Sequence, residues 1–115
     1  MDIRVVDTTA TPWTPHRSYP GVAMRSVVGS DVSSAVEVRI AHVEPGAEIA
    51  LHTHVHSAET FYFLCGEGTL TTGDQSFLCR TGFCIHAPAG AVHAVKNTGT
   101  GELQLLAIFT PPPPK

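Results

Sequence analysis

Between Val22 and Thr110 short apolar runs alternate with turn formers: VAMRSVV, GSD, SAVEVRIAHV, EPG, then FYFLC, GEG, TLTT, GD, QSFLC, RTG, FCIHA, PAG, VHAVKN, TGTG and ELQLLAIFT. Runs of this length, bounded by Gly, Pro, Asp and Asn, read as β-strands. No stretch keeps a 3.6-residue apolar period, so helices are not expected. In SAVEVRIAHV the period is two, with Val36, Val38 and Ile40 on one face and Glu37 and Arg39 on the other. This predicts that the apolar set faces the core and, by the same parity, that His42 turns inward. Many short strands with frequent turns predict an all-β antiparallel sandwich or barrel.

The ends depart from this rhythm. Residues 1–20 carry Pro12, Pro15 and Pro20 around Trp13 and Tyr19, too proline-broken for a central strand or helix, and read as an extended arm. The arm's aromatics need cover, on the same domain or on a partner subunit's sheet edge. Residues 21–110 form the barrel, and PPPPK at 111–115 stops the last strand and trails as a solvated tail.

Composition narrows the function classes. The chain has 115 residues, one domain's worth, with 43% hydrophobic and 15% charged residues, ten Gly and nine Pro, a balance that favours short strands. A net charge of -3 with no Lys/Arg cluster gives no electrostatic footprint for nucleic acid or an anionic membrane. Neither a signal-peptide core nor an 18-residue apolar run is present, so a cytoplasmic location is expected. Cys65, Cys79 and Cys84 are odd in number and in no zinc-finger spacing, which predicts buried free thiols.

The chemistry gathers in LHTHVHSAET, residues 51–60, where three histidines occupy alternate positions and Glu59 follows. On a strand His52 and His54 point to the same face, which is how a metal site begins. VHSA leaves room for a turn, and a hairpin returns Glu59 beside the imidazoles at the head of the strand FYFLC. His93, after a Pro-x-Gly turn, starts another strand and is able to join them from a neighbouring position.

With the glycines included, two longer patterns emerge. The first is Gly46, five residues, His52, one residue, His54, four residues, Glu59, six residues, Gly66; the second is Gly82, five residues, Pro88, one residue, Gly90, two residues, His93, three residues, Asn97. These patterns, separated by the 15 residues Glu67 to Thr81, resemble the two motifs of the cupin superfamily. The resemblance implies a double-sheet jelly-roll barrel and one divalent metal ion per chain (Fe, Mn, Ni, Cu or Zn) held by His52, His54, Glu59 and His93. The glycines read as turn residues and Asn97 as a strand-end hydrogen-bonder. His56 falls at the turn, as a rim group or a fifth ligand, and His86 lines the pocket or faces solvent. A ligand role for His42 is weaker than a hydrogen-bonded one.

Three neutral imidazoles and one carboxylate leave a divalent ion with a local charge of about +1, which favours an anionic or enolic oxygen ligand. Octahedral coordination leaves two positions open, whereas tetrahedral zinc is filled by the same four groups. The expected function is a small-molecule oxidoreductase of dioxygenase type acting on an enol- or carboxylate-bearing substrate, with Glu59 or His56 moving a proton. The alternatives are a non-catalytic ligand-binding or sensing protein and a metal-dependent isomerase or decarboxylase. A homodimer is expected, because small jelly rolls expose sheet edges.

Overall fold

The computed structural model describes residues 2–114. Ten strands follow a single 3-10 turn at Thr8–Ala10: β1 (Thr14–Pro15), β2 (Val22–Val28), β3 (Glu37–Val43), β4 (Glu48–His52), β5 (Ala58–Cys65), β6 (Glu67–Thr71), β7 (Ser76–Arg80), β8 (Cys84–Ala87), β9 (His93–Asn97) and β10 (Leu103–Thr110). They form two antiparallel sheets, one ordered β1-β2-β3-β10-β5-β8 and the other β4-β9-β6-β7. Among the described residues no helix is long and apolar enough to cross a membrane.

The core lies between the sheets. β5 contributes Phe61 and Phe63, and β10 contributes Leu103, Leu105, Ala107 and Phe109, every second residue turned inward. Val43 and Ala41 enter from β3, and Leu70, Cys79 and Val95 from the smaller sheet. Period-two alternation in β5 and β10 thus decides which face is buried.

In β3 the expected parity is reversed. Val43, Ala41, Arg39 and Glu37 stand opposite the inward residues Leu103, Leu105, Ala107 and Phe109 of β10, so the odd positions face the interior. Val38, Ile40 and His42 face outward. The apolar content of both faces explains the reversal: the outer face is itself half covered, so an apolar residue there costs little. Part of that cover is the arm. Arg25 lies over Trp13 at 3.9 Å and donates from Nη1 to the Thr8 carbonyl at 2.7 Å, while Trp13 meets His42 edge-on at 5.6 Å. His42 also pairs with Glu102 at 3.1 Å, away from the histidine cluster.

Two motif residues fix the frame. Gly66 has φ of 89°, and a Cβ there would lie 2.3 Å from the Glu102 carbonyl oxygen, so the β5–β6 turn excludes any side chain. Asn97 is 1% exposed; its Nδ2 donates to the carbonyls of Val43 at 2.8 Å and Gly101 at 2.9 Å, and its Oδ1 accepts from the Gly99 N–H at 3.0 Å. It therefore ties β9 in one sheet to β3 in the other.

The thiols also depart from expectation. Cys79 is buried, and burial pushes its thiol up from the ordinary value; Cys65 is half-buried and Cys84 exposed, all three free. Cys84 stands opposite Tyr62, on the outward parity of β5. Nor does the proline tail simply trail into solvent, since Pro113 and Pro114 border a surface cavity shared with residues 53–57.

Candidate metal centre

The two sheets bring one donor cluster together from three places in the chain. β4 pairs with β9 so that His52 stands directly opposite His93, their rings 4.4 Å apart. Glu59 reaches them from β5 in the facing sheet. β4 ends at His52, so His54 sits in the connection beyond it, where its backbone carbonyl accepts from the Gly90 N–H at 2.8 Å. That bond joins the histidine loop to the Pro-x-Gly turn, which is closed by Ala91 N–H donating to the Pro88 carbonyl at 3.0 Å. Gly90, at φ 85°, supplies the left-handed backbone that turn requires.

One ligand atom from each of His52, His54, Glu59 and His93 lies within 4.8 Å of the others. Glu59 Oε1 is 2.9 Å from His93 Nε2, 3.5 Å from His54 Nε2 and 3.9 Å from His52 Nε2. The far nitrogens of two rings are committed to backbone. His52 Nδ1–H donates to the Ala50 carbonyl at 2.8 Å and His93 Nδ1–H to the Ala91 carbonyl at 3.2 Å. A carbonyl only accepts, so in the neutral rings Nε2 carries a lone pair facing the carboxylate. Lone pairs aimed at one another in a mostly buried site require a proton or a cation between them, and orientation through Nδ1–H is how imidazoles are presented to metals. The donor set fits a divalent ion by composition, by convergence and by this orientation.

The electrostatics follow from the same contacts. Burial pushes the Glu59 carboxyl up, but the three imidazoles that face it, His52, His54 and His93, outweigh burial when they carry a proton and hold the group well below the usual carboxylate range. The Glu59 carboxylate facing it raises His52 above its ordinary value against the opposing effect of burial. Aromatic rings hold the imidazoles in place: Phe61 stacks on His93 at 5.8 Å and Phe109 meets His54 edge-on at 5.0 Å.

Above the cluster opens a cavity of about 120 Å³, lined by the donor residues His52, His54 and Glu59, and also by Arg39, His16 and Tyr19. A dry cavity of about 150 Å³ holds benzene, so this one suits a ligand of roughly that size or smaller. Val36, Val38 and Ile40, which the period-two pattern turned toward the core, do not line it; the wall from β3 is instead Arg39 and Ala41. His16 and Tyr19, stacked at 4.3 Å, bring the arm to the cavity. His16 is pulled below its ordinary value by burial and by Arg39 and His52. Nothing in the local pattern marked the arm as part of the site; only its aromatic content hinted that it must pack.

His56 lies in the bend after β4, exposed, outside the four-residue cluster and outside the lining of this cavity. It borders a separate surface cavity with Pro113 and Pro114. His86 is exposed on β8, its Nδ1 2.8 Å from the Thr60 hydroxyl.

Comparison with known proteins agrees with this architecture. The family model described as Cupin domain matches residues 39–109. The chain is 26% identical over 114 residues to Uncharacterized protein MJ1618 of Methanocaldococcus jannaschii, an alignment covering 97% of this chain and 91% of that one. It is 35% identical to Auxin-binding protein 1 of Arabidopsis thaliana over 88% of this chain, spanning 57% of that protein's length. The solved structure of a predicted oxalate decarboxylase from Thermotoga maritima superposes with a TM-score of 0.85 at 23% identity, covering 95% of this chain and all of that one. A match to more than half the chain, on the residues that build both sheets and the donor cluster, makes this protein a member of the cupin family.

Proposed function

We propose that the chain is a divalent-metal-dependent enzyme that binds a small enol- or carboxylate-bearing molecule through oxygen and oxidises it in a reaction of dioxygenase type. The observation that carries this reading is the convergence of His52, His54, Glu59 and His93 at the foot of an open, small cavity. His52, His54, Glu59 and His93 would hold a divalent ion, which would supply Lewis-acid polarisation of a ligand oxygen. Glu59 neutralises part of the ion's charge and is itself held by three imidazoles. Phe61 and Phe109 set apolar surface against the rings of His93 and His54. Proton exchange falls to His16, which lines the cavity, rather than to His56, which does not.

The test is oxygen uptake by iron-, manganese-, nickel- and copper-loaded protein with a panel of small enols, catechols and thiols. Turnover that consumes oxygen supports the reading. Turnover without oxygen replaces it with an isomerase or decarboxylase on the same site, and the predicted oxalate decarboxylase of like fold favours that second reading. Ligand binding with no turnover points instead to a binding or sensing role, which the name of the auxin-binding relative favours.

A homodimer belongs to the same proposal. On the outer face of the larger sheet Tyr62 and Leu64 of β5 are exposed, and the arm exposes Ile3 and Val5 at 92% and 88%. A second copy covering these residues doubles the 12.2 kDa chain mass in light scattering, and the single-chain mass contradicts it.

A further inference from the structure

Two of the donor imidazoles have a backbone partner on the far ring nitrogen, and the third has none. His52 and His93 donate from Nδ1–H to the Ala50 and Ala91 carbonyls. His54 presents Nε2 to Glu59 at 3.5 Å, its carbonyl is held by the Gly90 N–H and its ring meets Phe109 edge-on, yet its Nδ1 has no hydrogen-bond partner among the described residues. A second unpaired group lies on the same loop. Ser57, immediately before β5 and two residues ahead of Glu59, is 2% exposed, and its Oγ is buried with no hydrogen-bond partner. Val55 and His56 bend the chain between the two residues, and His54 and Ser57 line one cavity of about 450 Å³ that Pro113 and Pro114 also border. A buried hydroxyl left unpaired costs stability, and native chains leave few of them, so this one calls for a reason. The needs of the two groups are complementary. A neutral imidazole that binds through Nε2 carries its hydrogen on Nδ1, and a hydroxyl oxygen accepts it.

We propose that Ser57 is the positioning residue of His54: its Oγ takes the His54 Nδ1–H, directly or through one water in the shared cavity, when Nε2 is on the metal. This inference rests on the metal-dependent reading above. The serine then gives the third imidazole what the Ala50 and Ala91 carbonyls give the other two, a fixed ring orientation and a more basic Nε2. It also accounts for the placement of the hydroxyl, which weakens the empty protein and serves the loaded one. Local side-chain bonds across three residues are the usual reach of a serine in a bend, so no rearrangement of the strands is needed.

The test uses zinc, whose diamagnetism keeps imidazole protons visible, on wild type, Ser57→Ala and Ser57→Thr. Zinc affinity is read by competition with a chelator, the imidazole N–H signals by heteronuclear magnetic resonance of the loaded protein, and the stability of the metal-free chains by urea denaturation. Ser57→Ala is expected to bind zinc at least about tenfold more weakly. It is also expected to lose the His54 Nδ1–H signal to exchange with water while those of His52 and His93 remain, and Ser57→Thr, which keeps the hydroxyl, to restore both properties. The metal-free Ser57→Ala chain is expected to be as stable as wild type or more so, because no protein group loses a bond. A smaller loss of zinc affinity in Ser57→Ala overturns the proposal. So does a loss of affinity accompanied by lower metal-free stability, which is what a packing role predicts. If Ser57→Thr does not fold, the signals and stability of Ser57→Ala decide alone. A wild type that takes no zinc overturns the metal-dependent reading and the role of Ser57 with it, whereas equal zinc binding by wild type and Ser57→Ala overturns the positioning role alone.

Discussion

Replacing Asn97 by Ala separates a motif residue that builds the frame from those that build the site. The side chain is 1% exposed and makes three hydrogen bonds to backbone, donating to Val43 and Gly101 and accepting from Gly99. Truncation strands these partners where water has little access, and each buried orphan costs about 1–3 kcal/mol. The Gly101 and Gly99 groups lie near the surface and recover water, so the Val43 carbonyl carries most of the cost and the total is about 3 kcal/mol. For a domain of this size that lowers Tm by roughly 12 °C. Asn97→Asp keeps the shape but sets a carboxylate against two carbonyl oxygens, and is expected to be at least as destabilising at neutral pH. Urea denaturation of both variants gives the free energies, and metal content of the folded protein gives the second readout. Asn97→Ala is expected to keep its metal, because His93 is positioned from the other end of β9 by its pairing with His52. A loss below about 1 kcal/mol refutes the reasoning, as does metal loss in a variant that remains fully folded.

Gly66→Ala places its Cβ 2.3 Å from the Glu102 carbonyl oxygen at a φ of 89°, so it is expected to destabilise by several kcal/mol, roughly 1–2 of it from the left-handed backbone alone, as read from thermal melts. Phe61→Ala removes a fully buried ring that also stacks on His93; about 3–5 kcal/mol of stability should go with it, and metal affinity should weaken even where the protein still folds. The metal-free chain should have a pH optimum of stability. His52 is raised, so its contribution is complete below its ordinary 6.5 and is lost as pH rises through the raised value; Glu59 is lowered, so its contribution is present above 4.5 and lost as pH falls. Melts of chelated protein should therefore fall in temperature above pH 6.5, while metal-loaded protein gains as protons cease to compete for the ligands, and a rise in both refutes the assignment.

The donor cluster was legible because its spacing is local: His52, His54 and Glu59 lie within eight residues, and a Pro-x-Gly turn marks the strand that begins at His93. The glycine turns were legible for the same reason, since Gly46, Gly66, Gly82 and Gly90 all adopt positive φ. The cavity walls were not. β3 carries apolar residues on both parities, and only its pairing with β10 decides that Arg39 turns inward and Ile40 outward. His16 and Tyr19 reach the cavity through the path of the arm, which no periodicity encodes. Cys65 and Cys84 were expected inside on composition alone, but strand position decides their burial.

Whether His52, His54, Glu59 and His93 hold a metal is decided by metal content from plasma mass spectrometry of protein purified without chelators or a histidine tag, beside a His52→Ala and His93→Ala double variant. Close to one divalent ion per wild-type chain is expected, with its loss from a variant that remains folded. A wild type without metal, or a double variant that keeps as much as the wild type, rules out a metal centre at these four residues.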